Sequence, residues 1–594
     1  MPDYQNPQQD PGGERRLLLV FLLTFIVLVV SQPLMKKFLP QPAAPQKQQS
    51  ASLPAQTQTG PGTGAPSTVS AAPAAPAPAV SKQAASESEI VVENDLYKIT
   101  FTNRGAQVKS WILKKFDNED QNGRLDLVNA AASAKYGYPL SLWTSDETLR
   151  NKLNSALYVG SSDGHLTAPA TITFEYSDPE VTVRKTFRFD HTYVLNVETS
   201  VIYKGSAIFA PPAWPAGFGD QVNGASYAAA RIDYHSDAST DRTALVFPNY
   251  VLRLPIKSVS GGNTIKVPFE WGGVGDQYFT AIFIPEDPAS AAMVTLRNPL
   301  DITQKTTFNT QENAKVELLG AAVGDAHNAT TVERMFVGPK ELAVLDSIHV
   351  PAIRNDNADL RGAVDYGWWG ILARPLFLWL KWTYNHIVPN WGWAIVIQTL
   401  IITIALLPLR ITQMKSMLKM QRVQPQIKSI QEKYKKYSMR DPRKAAMQEE
   451  VAAVYKKEGV NPAGGCLPLL IQFPFLIAYY RMLGVALELR HAHWLWIRDL
   501  SAPDVVLPIL MVLSMIVMQR MTPQAGMDPA QQRIMTVMMP LFMGFIFFKL
   551  AAGLNLYYTE SNLISIIQQS VMNRTSLGRE MREMIAKRAR KKEK

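Results

Sequence analysis

The sequence predicts a polytopic α-helical membrane protein with six transmembrane helices, a large all-β sandwich domain on one side of the membrane and a helical hairpin on the other. Charge-poor apolar runs recur near the N-terminus and through the last third of the chain. A long middle segment alternates apolar and polar residues, the mark of half-buried strands. Lys and Arg gather in one internal loop and in the C-terminal tail.

The average hydrophobic content of 47% is ordinary and hides this segregation. A net charge of +11 points to an anionic partner, nucleic acid or lipid headgroups. Cys466 is the single cysteine, which excludes an intrachain disulfide scaffold.

Residues 1–38 read as a short tail and an anchor. Arg15-Arg16 precede an unbroken apolar run, Leu17 to Val30, and the stretch to Lys36 is long enough for one span. A cleaved signal is the alternative, but Ser31-Gln32-Pro33 makes a poor cleavage site. Residues 39–88, almost all Pro, Ala, Gln, Ser, Thr and Gly, cannot bury enough apolar surface to order themselves and read as a linker. Residues 89–350 carry the β-domain. Leu96 to Phe101 and Val181 to Phe189 have a period of two, and Gly, Pro and Asn-Gly breaks recur between such runs.

Residues 351–390 form a connector and an amphipathic helix. Trp368, Trp369, Trp379 and Trp382 suit the headgroup boundary, and Arg374, Lys381 and Asn385 share one polar stripe. Residues 391–572 hold five spans: Trp393–Leu409, Cys466–Tyr480, Val505–Gln519, Ile534–Phe548 and Leu550 to about Val571. Between the first two lies the hairpin 411–459, with Asp441-Pro442 opening its second arm and Pro425 expected to kink its first. The loop Arg410–Glu458 carries thirteen Lys/Arg against five Asp/Glu, and the tail 573–594 nine against three. The loop Val485–Asp504 carries two against three. The positive-inside bias puts hairpin, tail and N-terminus in the cytoplasm, and the β-domain in the periplasm of a two-membrane bacterium.

The run Val460-Asn461-Pro462-Ala463-Gly464-Gly465-Cys466-Leu467-Pro468-Leu469-Leu470-Ile471-Gln472-Phe473-Pro474 resembles the signature of the YidC insertase family. Glu488-Leu489-Arg490, Trp496 to Leu500, Asp528-Pro529, Gly553 through Tyr558 and Ser561-Asn562-Leu563 resemble it too. The resemblance spans essentially the whole chain and is specific over residues 366–572. It implies a mutarotase-like supersandwich for the β-domain. It also implies a membrane protein insertase and chaperone of the inner membrane that uses no ATP, enzymatic chemistry or cofactor. The implied partners are nascent membrane proteins, the ribosome and the Sec translocon. A nascent helix would slide along the apolar edge of a polar groove open to cytosol and lipid while its short polar tail passes through the groove. The rival readings are a membrane-tethered carbohydrate-binding or carbohydrate-modifying protein and a secondary transporter. No self-similar halves favour the transporter.

Candidate groove residues are Thr399 and Thr403, four apart on one helix face, with Arg410 nearly in line. Gln472 lies inside the third span, and Tyr558, Ser561, Asn562 and Ser565 make one stripe on the last. The bland alternative is that these hydroxyls bond back to their own helices. The family carries an arginine five residues before the proline at the end of its second span; Thr403 stands there, and Arg410 is the candidate substitute. Arg481 and Glu560 are ionisable residues inside spans, expected to pair with each other or to snorkel to the interface. Tail residues Arg579, Arg582, Lys587, Arg588, Arg590, Lys591, Lys592 and Lys594 are expected to meet ribosomal RNA or anionic phospholipids. The eight histidines show no metal-ligand spacing, and His491 and His493 read as a wet loop.

Overall fold

The computed structural model describes residues 81–236, 251–305, 310–327, 330–351, 359–434, 437, 441, 443–459, 467–521, 533–576, 579 and 583. The expected N-terminal anchor and most of the linker lie outside the described residues.

Alternation builds the β-domain. In Tyr97–Thr102, Tyr97, Ile99 and Phe101 are buried while Lys98 is exposed, so one strand face meets the core. The largest sheet runs in spatial order Val251–Pro255, Arg231–His235, Trp271–Gly275, Phe279–Pro285, Thr330–Pro339, Val194–Tyr203, Val181–Phe189, Ala170–Ser177 and Val159–Gly160. Ser206–Ala207 pairs off Val194–Tyr203. Gln311–Asp325, from one of two five-stranded sheets, packs across this sheet and closes a sandwich. The sandwich is antiparallel as expected except where Glu89–Glu93 pairs in parallel with Gly164–Thr167. Its interior is aromatic: Trp214 stacks on Phe218 at 5.2 Å and meets Trp111 at 5.9 Å. Among the basic side chains buried in it is Lys185, whose amine is pushed down by burial to about 7. The fully buried Lys185 ammonium donates to the carbonyls of Gly105, Ala106 and Leu140 at 2.8, 3.0 and 2.7 Å.

The C-terminal half is helical: α1 (Gly370–His386), α2 (Trp391–Ala405), α3 (Leu407–Lys433), α4 (Arg443–Lys457), α5 (Leu467–Val485), α6 (Val506–Met521), α7 (Met539–Phe547) and α8 (Ala552–Arg574). Helix α8 lies at the centre and packs on α2, α5 and α6. Helices α3 and α4 form the expected hairpin, zipped by Val423 and Ile427 against Val451, Val454 and Tyr455. Helix α3 runs through Pro425 without interruption, so the expected kink does not break it. The turn from α7 into α8 is tight because Asn555 donates to the carbonyls of Phe547 and Leu550 at 3.1 and 3.2 Å, filling acceptors that a helix end leaves open. At the start of α2, a Cβ on Gly392 would meet the Trp494 ring at 2.2 Å, so only glycine admits that indole.

The bundle presents apolar residues outward. Ile509, Leu513 and Val517 on α6, and Leu563, Ile567 and Val571 on α8, are exposed at four-residue spacing. Among the described residues, however, no helix is long and apolar enough by itself to cross a membrane. The expected runs are divided. Helix α2 stops at Ala405, with Pro408 in the first turn of α3. The run from Ile534 splits into a π-helical turn, Ile534–Met538, and the nine-residue α7. Helix α8 has 23 residues but carries Asn555, Glu560, Asn562 and Gln568. Each of the five expected runs in residues 391–572 is met by a described element, α2, α5, α6, the π turn with α7, and α8, while the expected N-terminal span lies outside the described residues.

Candidate functional site, a polar track inside the bundle

Thr399 and Thr403 share a buried face of α2, as their spacing predicts. Each hydroxyl donates to the carbonyl four residues back, Ile395 and Thr399, at 2.7 Å. That is the bland alternative for these hydroxyls, and it leaves their oxygens able to accept. The neighbour that the Thr stripe overlooked does more. The Gln398 amide donates to the Leu376 carbonyl of α1 at 2.9 Å and accepts the Tyr479 hydroxyl of α5 at 2.7 Å. The Tyr479 ring stacks on Tyr557 of α8 at 4.2 Å. A glutamine in a charge-free run was the available signal for Gln398. Nothing in the sequence singles out Tyr479, and Tyr557 stands out only as part of the stretch Gly553 through Tyr558 that resembles the family.

The predicted α8 stripe divides. Tyr558 packs edge-on to Phe547 of α7 at 5.0 Å. Asn562 donates to Ser514 of α6 at 3.2 Å. Ser565 bonds back to the Ser561 carbonyl, and both are buried. About 100° round the helix, Tyr557 faces α5, and Gln568 donates to the Thr403 carbonyl of α2 at 3.4 Å. Polar groups thus occupy two faces of α8, because three helices rather than one surround it. Arg410 is half-buried, and its guanidinium comes close enough to Tyr557 for the two to interact electrostatically. Helix α5 includes Gln472, but its side chain, Cys466 and the tail cations other than the exposed Arg574 and Arg579 lie outside the described residues.

The expected Arg481–Glu560 pair is not formed. Arg481 is four residues from the end of α5, and that end meets the β-domain: Gln277 donates to the Gly484 carbonyl at 2.8 Å. The carboxylate within its reach is Asp365 of the connector, at 3.7 Å. Asp365 also pairs with Arg231 at 2.9 Å and Arg253 at 3.6 Å. Burial works against its charge, yet Arg253, Arg231 and Arg481 outweigh that and hold the carboxyl well below the usual carboxylate range. Two further bridges seat the β-domain on the bundle. Lys381 of α1 spans Glu341 and Glu488 at 3.4 and 3.3 Å. Arg490 donates to the Asp117 carbonyl at 2.8 Å. Glu560, freed from the expected pair, lies against the Thr399 hydroxyl, and one of its oxygens is buried without a hydrogen-bond partner. Among the described residues no His, Cys, Asp and Glu group is placed to hold a metal; His491 lies 4.0 Å from Asp499.

An outward apolar surface around an inward chain of hydrogen-bonded polar groups defines an integral membrane protein with a polar track. Residues 382–579 match the family described as 60Kd inner membrane protein, and residues 89–379 match the YidC periplasmic domain. The chain is 31% identical over 488 residues to the membrane protein insertase YidC of Geobacter sulfurreducens, covering 81% of this chain and 85% of that one. It is 33% identical to that of Cupriavidus pinatubonensis, covering 78% and 81%. The chain belongs to the YidC family of membrane protein insertases. Among solved structures it is similar to an active YidC insertase with its first transmembrane domain resolved (TM-score 0.34, 20% identity, 83% of this chain and 94% of that one). It is also similar to a galactose mutarotase-like protein from Lactobacillus casei (TM-score 0.24, 12% identity, 42% and 99%).

Proposed function

We propose that this insertase accepts hydrophobic nascent membrane proteins and passes their short polar segments along the track formed by α2, α5 and α8. The observation that carries the proposal is the chain of buried polar contacts Leu376–Gln398–Tyr479, continued by the Tyr479–Tyr557 stack, within helices whose outer faces are apolar. A polar group in hydrocarbon without a partner costs several kcal/mol. Side chains that exchange hydrogen bonds with it lower that barrier, while the apolar part of the substrate stays against lipid. Arg410 stands at the end of the track nearest the hairpin, where it serves as the fixed cation that Thr403 does not supply. In this reading the chain spans the inner membrane six times, with both termini and the hairpin cytoplasmic and the β-domain periplasmic, as the Lys/Arg bias supports.

The test is accessibility together with transport. Single cysteines at Thr399, Thr403, Gln472 and Tyr558, in a Cys466→Ser background, are expected to react with water-soluble thiol reagents from the cytosolic side. Cysteines at Leu563 and Ile567 should not. Equal inertness at both sets, or failure of the reconstituted protein to insert a small Sec-independent substrate, refutes the track.

The basic tail and hairpin are proposed to hold the ribosome and to bring nascent chains from it or from the Sec translocon; the same cations suit anionic phospholipids. Reversing Arg579, Arg582, Lys587 and Arg588 to Glu should weaken ribosome co-sedimentation about tenfold or more at low salt, with a smaller difference at high salt. Binding that is unchanged across the salt series assigns the tail to lipid.

A further inference from the structure

Glu560 has no use in the hydrogen-bond pattern described above, and its surroundings say what it lacks. It sits eight residues into α8, about 12 Å from the end of the bundle that meets the β-domain. Thr399, eight residues into α2, lies at the same depth, and Tyr479 is six residues from the end of α5. All three helices start or finish at that end, and at this depth both Glu560 and Tyr479 come to the Thr399 hydroxyl. Four polar oxygens along α8 are buried without a partner: Asn555 Oδ1, Thr559 Oγ1, Glu560 Oε2 and Gln568 Oε1. Three of these oxygens can only accept when the carboxyl is ionised, and the fourth is a hydroxyl that does both. The unfilled capacity of α8 is therefore for donors. The nearby cations stand elsewhere: Arg481 is held by Asp365, and Arg410 lies in α3, beyond the end of α2, about 16 Å along the chain direction from Thr399.

An isolated carboxyl in such a place is costly unless a proton or a cation joins it. We propose that the cation comes from the substrate: Glu560 is a specificity-determining residue that receives a Lys or Arg side chain in the polar segment of the nascent protein. This rests on the track being the path of that segment. An ammonium or guanidinium brings several donors at once, which matches a carboxylate beside Thr399 better than a second carboxylate would. The membrane potential opposes outward passage of a cation, and a carboxylate midway counteracts that opposition where it is felt. Acidic tails, by contrast, meet like charge at Glu560 and are disfavoured.

The test uses the full chain in proteoliposomes without a potential. Three single-span substrates differ only in a short translocated tail that is neutral, carries one Lys or carries one Asp, and insertion is read by protease protection. The wild type should insert the Lys tail in preference to the Asp tail. Glu560→Gln should lower the ratio of Lys-tail to neutral-tail insertion about tenfold, whereas Glu560→Asp, which keeps the charge, should retain the preference. Using the ratio separates a loss of selectivity from a general loss of folding or activity. A wild-type Lys-to-Asp ratio near one, or a change in Glu560→Gln that is equal for all three tails, overturns the proposal. Failure of the wild type to insert even the neutral tail overturns instead the reading of the track as the substrate path.

Discussion

Asp365→Ala is expected to release the β-domain from the helical bundle. The Asp365 side chain is 8% exposed, and those of Arg231 and Arg481 are 5% and 2% exposed. Removing the carboxylate takes the shared partner from three guanidiniums, of the β-domain and of α5, although Arg231 keeps Asp233 at 2.9 Å. Breaking a buried pair by deleting one member costs about 3–5 kcal/mol when the remaining charge is uncompensated, and Asp233 on Arg231 holds the expected loss to the lower end of that range. The loss should fall on the junction rather than on either half. In detergent, amide exchange around Gln277 and Gly484 should rise sharply while the sandwich core stays protected. Asp365→Asn keeps shape and part of the hydrogen bonding and should lie between the two. The same carboxyl gives a pH dependence. Its folded pKa is depressed, so its contribution is complete above the ordinary aspartate range near about 4 and declines as acid drives the pH below that range. A junction as stable in Asp365→Ala as in the wild type, or one that strengthens in acid, would contradict this account.

Lys185→Met is expected to destabilise the sandwich by a similar amount. Methionine matches the volume of the aliphatic stem but donates nothing. The carbonyls of Gly105, Ala106 and Leu140 would then each lose the Nζ donor. Each carbonyl left unsatisfied in the interior costs about 1–3 kcal/mol, partly offset by no longer burying an amine that burial already pushes down to about 7. The net expectation is about 3 kcal/mol or more, read as a lowered denaturation midpoint of the full chain with an unchanged m-value. The loops at 105–106 and 140 contain two residues at positive φ besides Gly105, Ala106 at 46° and Leu140 at 65°. Lys185 therefore ties down the backbone where it is least able to hold itself. A variant within about 0.5 kcal/mol of the wild type would show that these carbonyls find other donors.

Period and charge carried far in this chain. Alternation marked the strands of the β-domain, of which Glu89–Glu93 is the first, although Lys82, in the expected linker, already pairs with Ser177. The four-residue spacing of Thr399 and Thr403 placed both on the buried face of α2. Local chemistry also marked the hairpin, with Asp441 capping the second arm through the Arg443 amide at 3.0 Å. These features depend on neighbours within a few residues, so a single sequence contains the information needed to read them.

What lies between elements was not legible in this way. Arg481 and Glu560 were matched by depth along two helices, a one-dimensional measure that ignores the β-domain seated on the end of α5. The 3.7 Å contact to Asp365 joins residues more than a hundred positions apart. The Tyr558 stripe was expected to face one cavity, but α8 is surrounded by α2, α5 and α6, and its polar residues are divided among them. Gln398 and Tyr479 became part of the track only when a 2.7 Å hydrogen bond joined two helices that no loop connects directly. The sequence by itself determined which segments are strands and helices, which faces are apolar and where positive charge collects, because periodicity, capping and net charge are local properties of the chain. Only the tertiary structure decided which polar groups meet, since partners for a buried charge or amide are chosen by distance in space, and burial makes the choice of a near partner worth several kcal/mol.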